Sequence, residues 1–368
     1  MTQSRQLTRR AFVSGTTTGS LVVFARSLRA GDYTFAQYHN QTTDSPLHLR
    51  LVEMWTAIRN ETGGRVQTTI FPENNKIPGS DPQALQMLVS GEIQFFTLMG
   101  GILGNVVPVA EVQQVPFAFR SAAHAHQTMD GPLGAYLREE MTANGIWGFA
   151  VGSFDNGMRQ IGGTKRPIKV ANDLIGIRMR IPAGQMFEDM FRALGAEPVT
   201  VNSSGIYEAL KTGSVDAQEN PLNYMNLFRH YEVMKYVSIT NHMWSGFNML
   251  AHLPTWKRLP GDIKAVIERN VATYVRLQRQ DQQKLNMQAR PAFFRRLAVN
   301  EASSATFRAK LSGVYATWKN KLGSRCWSLL ESASGSRGYK LGGIHETLAR
   351  SIAFCFRMHP RHSGDGAE

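Results

Sequence analysis

Two arginines, Arg178 and Arg180, lie in a stretch where charged and apolar residues alternate. A period of two predicts a β-strand, and Pro182 predicts its end because proline cannot donate a hydrogen bond to a sheet. A guanidinium offers a rigid fork of donors that matches a carboxylate. At least one of these arginines is therefore expected to face an anion, either a bound acid or a protein carboxylate in a structural salt bridge.

Acid–base or metal chemistry has weaker support in the sequence. Asp216 and Glu219 form an acidic pair three residues apart, but the segment that contains them is expected to pack in the protein and to form part of a ligand pocket. The sequence contains no Gly-x-Ser-x-Gly, His-Glu-x-x-His or phosphate-loop motif. His39, His48 and His242 have no partners at metal-ligand spacing and are expected to be structural. We therefore expect a binding protein with no metal ion or cofactor, and not an enzyme.

Composition excludes other classes of protein. The chain has 368 residues and a net charge of +13 at neutral pH. This length can bury one large core or two domains without disulfides. The positive charge could attract anions, membranes or nucleic acid. Nucleic-acid binding is nevertheless not expected, because the sequence has no aromatic-basic RNA motif and no basic recognition helix. No apolar run reaches the length of a membrane span.

The first thirty residues predict export. The segment TRRAFV at 8–13 has the form of a twin-arginine signal, and a mildly apolar stretch follows it. A disordered basic tail is the alternative. Cys326 and Cys355 are interpreted as two unpaired thiols, although an oxidising compartment would allow a disulfide between them.

Hydrophobic periodicity predicts an α/β fold. Strand and helix patterns over 33–99 follow the order β-α-β-α-β, which is typical of a parallel sheet covered by helices. A second α/β unit is predicted over 167–240, with further strands over 146–152 and 247–252 and a long helix from about residue 261. Glycines and polar residues over 154–164 predict a crossing between two domains. Residues 332–368 are expected to form a variable C-terminal tail.

Several of these segments together resemble the solute-binding subunits of tripartite ATP-independent periplasmic (TRAP) transporters, the DctP family. The similarity covers about residues 33–330 and rests on the order and spacing of its pieces. These pieces are SPLH at 45–48, FP at 71–72 with GSD at 79–81, NGMR at 156–159, RMRIP at 178–182, GAEP at 195–198, YEAL at 207–210, VDAQENP at 215–221 and TNH at 240–242.

This resemblance implies a two-lobed clamp like that of periplasmic binding proteins. Each lobe would be a sheet covered by helices, with chain segments crossing between the lobes and a long helix spanning both. Lobe I would comprise residues 31–156 plus 246–285, and lobe II residues 157–245 plus 286–331. The ligand would occupy the cleft, and the lobes would close over it.

The resemblance also assigns candidate ligand-binding residues. Arg180 matches the arginine that grips the ligand carboxylate, and Arg159 matches a second ligand-facing arginine. Asn220 matches a pocket asparagine, although an asparagine before a proline is also a common turn residue. Arg178 is expected to be structural or solvated.

Four further positions are weaker candidates. Ser203 departs from the family pattern, in which an aromatic residue often packs on the ligand, and this suggests a roomier pocket or a different aromatic partner. Thr97 lies near the position of a pocket acid in sialic-acid-binding relatives, and its lack of charge argues against that ligand. Tyr38 and Trp244 are pocket candidates by approximate alignment, and Trp244 is equally expected in the core.

The function implied is capture of an organic acid in the periplasm by a monomeric protein, followed by delivery to a TRAP membrane permease for secondary import. A periplasmic sensor that presents the same acid to a signalling partner would share this pocket and remains an alternative. The class of acid is open among aromatic acids, keto acids and dicarboxylates.

Overall fold

The structure is a computed structural model that describes residues 31–334. The predicted twin-arginine segment, Cys355 and most of the predicted tail lie outside these residues. The strands are β1 (Tyr33–His39), β2 (Val66–Phe71), β3 (Phe95–Met99), β4 (Ile146–Gly163), β5 (Arg178–Ile181), β6 (Glu197–Thr200), β7 (Ala217–Asn220), β8 (Tyr236–His252) and β9 (Ala298–Glu301). The helices are α1 (Pro46–Glu61), α2 (Ser80–Ser90), α3 (Gly100–Leu103), α4 (Ala122–Asp130), α5 (Pro132–Ala143), α6 (Gln185–Ala193), α7 (Ile206–Lys211), α8 (Leu222–Leu227), α9 (Leu253–Arg258), α10 (Gly261–Phe294), α11 (Ser304–Lys310) and α12 (Ser312–Ser334).

Within the described residues, the strands form one nine-stranded sheet in the order β2-β1-β3-β8-β4-β7-β5-β6, with β9 paired to β8. The strands β1, β2 and β3 are parallel to one another, as are β5, β6 and β7. The antiparallel strands β4 and β8 join the two blocks. The fold is therefore the expected α/β type, but the sheets predicted for the two lobes are continuous through these two long strands.

The two joining strands are longer than the sequence pattern suggests. The sequence predicts a strand over 146–152 and an irregular crossing over 154–164, whereas β4 runs from Ile146 to Gly163 with register shifts that include one between Asp155 and Gly157. Glycines interrupt the apolar pattern but are accommodated by bulges and close packing. Gly157 has a φ angle of 110°, which side chains rarely adopt, and a Cβ atom there would lie 2.4 Å from the end of the Asn286 side chain, so this position favours a glycine.

Amide side chains on the long helix α10 hold the middle of β4. Gln278 accepts a hydrogen bond from the Asp155 amide at 2.8 Å and donates one to its carbonyl at 2.7 Å. Gln282 and Asn286, each one helical turn further along, donate to the Asn156 carbonyl at 2.9 and 3.1 Å. The spacing of four residues places all three amides on one helix face. Because these bonds satisfy backbone groups that the register shift removes from the sheet, the crossing segment can be buried.

Two hydrophobic clusters support the sheet. The larger one includes the helices that cover β1 to β5, together with α12. The smaller one is formed by α7, α8, the C-terminal half of α10 and β8, and includes Ile206, Met225 and Phe293. Among the helices within residues 31–334, none combines the length and apolar character needed to cross a lipid bilayer.

A buried acid connects the two predicted lobes. Glu111, in the turn at Pro108–Gln114, accepts hydrogen bonds from the amides of Gln185 and Met186 at 3.0 and 3.3 Å, at the first turn of α6. Burial raises the pKa of Glu111 to about 7, and these two amides only partly offset the effect. A carboxylate at a helix N-terminus is stabilising, but here its desolvation outweighs that benefit.

The raised pKa predicts a pH-dependent stability. The folded state binds the Glu111 proton more tightly than the unfolded chain does. The stabilisation is therefore complete below the ordinary value of 4.5 and is lost as pH rises through about 7. Relative to Glu111→Gln, the wild-type protein should lose about 3 kcal/mol of unfolding free energy between pH 4.5 and pH 8. Urea unfolding of both proteins at the two pH values measures this difference, and a constant difference would contradict the assignment.

Candidate ligand-binding cleft

The sheet topology creates a gap at the centre of the molecule. The carboxyl end of β3 reaches β4 through β8 at the level of Phe154, because Met99 pairs with Phe247 and Phe247 with Phe154. The carboxyl end of β7 meets β4 at Gln160, which pairs with Asn220. These levels are about 20 Å apart along an extended strand. The carboxyl ends of two oppositely directed parallel blocks therefore face each other, and such strand ends are where ligands bind in α/β proteins.

A small cavity of about 30 Å³ lies in this gap. Eight polar side chains from both sides of the gap line it, together with three apolar residues and one proline: Asn40, Asp81, Met99, Ile102, Asn156, Arg159, Arg180, Pro182, Ser203, Asn220, Tyr224 and Phe247. By residue type the lining is therefore mainly polar, and the cavity is referred to below as the central cleft.

Arg180 is a buried cation in this cleft without a carboxylate partner. Only 3% of the residue is exposed. Its Nε and Nη2 atoms both donate to the carbonyl of Val201, at 2.8 and 2.6 Å, and within residues 31–334 it forms no ion pair. Burial lowers the pKa of Arg180 to about 10, so the group remains charged at neutral pH. A guanidinium has five N–H donors, and those on the Nη1 side are left for a ligand.

Arg159 lines the same cleft, but its charge is compensated by the protein. Its Nε pairs with the Glu219 carboxylate, and its Nη2 donates to the other carboxylate oxygen at 2.7 Å. Nη1 donates to Ser245 at 3.0 Å, and Nη2 also contacts the Asn220 oxygen at 3.1 Å. Although burial opposes it, the charge of Arg159 and the hydrogen bond from His242 hold the pKa of Glu219 below its ordinary value. Direct contact between Arg159 and a ligand stays a prediction.

Arg178 has the structural role expected from the sequence. Its guanidinium donates to Asp216 at 2.6 and 3.1 Å, and Lys165 lies 2.9 Å from the same carboxylate. Burial of Asp216 is outweighed by these contacts, which hold its pKa well below the ordinary range. The two residues of the acidic pair, Asp216 and Glu219, are thus each engaged by cations, and neither is free to act as a general base.

The opposite side of the cleft carries a cluster of an acid and two amides, called here the Asp81 cluster (Asn40, Asn74 and Asp81). Asn40 donates to one oxygen of Asp81 at 2.7 Å, and Asn74 donates to the other at 2.6 Å. Burial raises the pKa of Asp81 despite these two bonds. A carboxylate has about four acceptor sites, so Asp81 can accept further hydrogen bonds from a ligand.

Four of the seven predicted site residues line the cleft: Arg180, Arg159, Asn220 and Ser203. Asn220 ends β7, and its amide donates to Gln218 at 2.8 Å. Ser203 lies in the short turn before α7. They are brought together because β4, β5 and β7 are neighbours in the sheet and the Ser203 turn follows β6.

The structure does not place the other three candidates among the residues that line the cleft. Tyr38 is buried with its ring against Phe71, at a centroid distance of 4.7 Å. Thr97 is completely buried within β3. Trp244 donates its indole N–H to Asp155, in the crossing segment, at 2.9 Å. It therefore lies in the core, which is one of the two positions expected for it from the sequence. In each case the side chain extends from the sheet into packed protein.

Four polar lining residues are not among the ligand-binding candidates from the sequence: Asn40, Asp81, Asn156 and Tyr224. In the sequence, Asp81 is recognisable only as an acid at the start of a helix, and Asn156 only as part of a motif. Nothing in the sequence indicates that Tyr224 binds a ligand, because an aromatic residue near an apolar helix face is typical of a core. Within the described residues, no group of three or more His, Cys, Asp or Glu side chains is arranged to hold a metal ion.

The fold and the cleft are typical of an α/β protein that binds a small ligand, and similarity to known proteins identifies its family. The model of the family described as bacterial extracellular solute-binding protein, family 7 (DctP) matches residues 37–321. The chain belongs to this family. Solved structures similar to it include a TRAP periplasmic solute binding protein from Bradyrhizobium sp., which is 25% identical and superposes with a TM-score of 0.76 over 82% of this chain and 100% of that chain.

Individual relatives are moderately similar. The chain is 32% identical over 269 residues to the uncharacterized protein y4mM of Sinorhizobium fredii, which covers 72% of this chain and 49% of that protein. It is 30% identical over 250 residues to the 2,3-diketo-L-gulonate-binding periplasmic protein YiaO of Escherichia coli, covering 66% of this chain and 70% of that protein. The crystal structure of the sugar acid binding protein DctPAm from Advenella mimigardefordensis in complex with galactonate is 26% identical. It superposes with a TM-score of 0.77 over 82% of this chain and 97% of that chain.

The compensated arginine predicts a strong effect on stability. Glu219→Gln removes the countercharge of Arg159, which is 2% exposed, and leaves a buried cation. Breaking such a pair from one side costs about 3–5 kcal/mol. Glu188→Gln is the matched control, because its i,i+4 partner Arg192 is exposed and loss of a surface pair costs about 0.5 kcal/mol or less. Urea unfolding measures both, and equal effects would refute the structural role of the Arg159–Glu219 pair.

Proposed function

We propose that this protein captures an organic acid in the central cleft, with Arg180 as the group that binds the carboxylate. The supporting observation is that Arg180 is buried, charged and not ion-paired within residues 31–334. Burying a cation is unfavourable unless an anion or several acceptors compensate it. One backbone carbonyl supplies only part of that compensation. A ligand carboxylate would complete it through a charge-assisted, bidentate contact.

The Asp81 cluster supports a hydroxylated monocarboxylic acid as the ligand. Asp81 and Asn40 offer acceptors and donors that suit hydroxyl groups, on the side of the cleft across from Arg180. A second ligand carboxylate at that end would meet another acidic group, and two carboxyl groups at close range disfavour each other's charged form. This favours a sugar acid over a dicarboxylate. The name of the Escherichia coli relative and the galactonate in the Advenella structure are in line with such a ligand.

Domain closure would complete the site. We place the boundary between the lobes at Asn156 and Gly157 on β4 and at Ser245 and Gly246 on β8. Gly157 has a φ angle of 110°, which favours glycine, and the β4 register shifts at this point. Ligand binding then stabilises the closed arrangement by its preference for that state.

Delivery of the ligand to a TRAP membrane permease follows from membership of the family. We propose that the protein acts as a monomer in the periplasm and that residues 1–30, with Arg9 and Arg10, direct its export by the twin-arginine route. The engaged acids Asp216 and Glu219 support binding without catalysis.

Replacing the cation provides the central test. Arg180→Met keeps the bulk of the side chain and removes two charge-assisted hydrogen bonds, each worth about 1.5–3 kcal/mol. Affinity should fall on the order of 100-fold or more. The stability of the ligand-free protein should stay equal or rise, because an uncompensated buried charge is lost.

Thermal-shift screening against D-galactonate, D-glucuronate and succinate, followed by calorimetry, measures these effects. Arg192→Met is the control, since Arg192 is an exposed arginine on α6. Unchanged affinity of Arg180→Met for an acid that binds the wild-type protein would refute the assigned role. Stabilisation by succinate alone would refute the sugar-acid preference.

A further inference from the structure

The hydroxyl of Tyr224 lacks a well-formed hydrogen bond inside the central cleft. Tyr224 is 4% exposed and lines the cavity. Its Oη atom is buried and makes no hydrogen bond of good geometry within residues 31–334, although the Ser203 side chain is close enough to interact with it. Leaving a buried hydroxyl unpaired costs about 1–3 kcal/mol. A core position would tolerate phenylalanine here at lower cost, so the hydroxyl points to an interaction that a ligand would provide.

The Tyr224 ring is held in a fixed orientation. It stacks on Phe228 with a centroid distance of 4.3 Å and an interplanar angle of 23°. His230 contacts the ring from another direction, at 5.9 Å. Both neighbours lie just after α8: Phe228 caps its C-terminal end, and His230 begins the short turn His230–Glu232. The hydroxyl is therefore directed by packing and need not be ordered when a ligand arrives, which lowers the entropic cost of binding.

The electrostatic environment makes Tyr224 a donor. Burial raises its pKa to about 12, although the charges of Arg180 and Arg159 oppose the shift, so the phenol is protonated at neutral pH. Burial, together with the charge of Arg180, lowers the pKa of His230 to about 3. The imidazole behind the ring is thus neutral and does not add a second positive charge. Arg180 and the Tyr224 hydroxyl remain as two donors on the same side of the cleft.

Ser203 leaves room for this tyrosine. Its side chain is small and lines the cleft beside Tyr224. Tyr224 on α8 therefore supplies the aromatic surface in this part of the cleft. Of the two explanations open from the sequence, a roomier pocket or a different aromatic partner, this arrangement favours the second.

We infer that Tyr224 is a ligand-binding residue whose hydroxyl donates a hydrogen bond to the carboxylate held by Arg180, and whose ring forms the aromatic surface beside Ser203. The inference rests on the proposed function, since it requires an acid in the central cleft. A neutral phenol beside the guanidinium adds a directional donor without adding charge. It therefore contributes affinity and selects for a planar carboxylate in one orientation.

The test compares Tyr224→Phe with the wild-type protein and with Tyr207→Phe. Tyr224→Phe keeps the ring and removes only the hydroxyl. Tyr207→Phe removes a surface hydroxyl bonded to Glu232 at 3.0 Å and serves as the matched control. Calorimetry with whichever of D-galactonate and D-glucuronate binds the wild-type protein more tightly should show about a 10-fold loss of affinity for Tyr224→Phe and none for Tyr207→Phe. Urea unfolding of the ligand-free proteins should show no loss of stability in Tyr224→Phe.

The outcomes separate this inference from the proposed function. Unchanged affinity in Tyr224→Phe, with a large loss in Arg180→Met, would overturn the role of Tyr224 and leave acid binding in place. If Tyr224→Phe loses as much free energy of unfolding as free energy of ligand binding, Tyr224 has a structural role in the protein core. That result would also overturn the inference. If neither sugar acid binds the wild-type protein, both the sugar-acid proposal and the role of Tyr224 fail.

Discussion

The central constraint in this structure is the cost of burying a positive charge. Two arginines reach the central cleft, and each is nearly inaccessible to water. Arg159 is neutralised by Glu219, whereas Arg180 is bonded only to the Val201 carbonyl. The protein thus satisfies one cation internally and leaves the other dependent on what enters the cleft. The buried charge of Arg180 is unfavourable while the cleft is empty. Binding of an anion therefore gains more free energy there than beside Arg159, whose charge is already compensated.

The arrangement of the sheet makes such a site feasible. Two parallel blocks run in opposite directions and end at the middle of β4 and β8. Their carboxyl ends bring side chains from distant segments to one cavity, while β4 and β8 pass through without interruption. The amides of α10 satisfy the backbone where β4 changes register. A continuous sheet with one locally weakened crossing can bend there without exposing its core.

Much of the cleft could be predicted from sequence, and the misses share a cause. Arg180, Arg159, Asn220 and Ser203 were identified through motif order, and all four line the cavity. Asp81 and Tyr224 were missed because their significance depends on neighbours far along the chain. Asp81 is held by Asn40, 41 positions away. Tyr38, Thr97 and Trp244 were placed by approximate alignment, and a shift of one residue along a strand moves a side chain to the other face.

The sequence by itself determined the α/β class, the strand that carries Arg178 and Arg180, its end at Pro182, and membership of the solute-binding family. These features depend on local periodicity and on short motifs, which are properties of neighbouring residues. Only the tertiary structure decided which arginine has a protein countercharge. Arg178 and Arg180 share one strand face by their spacing, yet Arg178 is paired with Asp216 and Arg180 faces the cleft. The reason is that ion-pair partners and burial arise from segments that meet only when the sheet assembles, and electrostatic energies depend on those distances and on the exclusion of water.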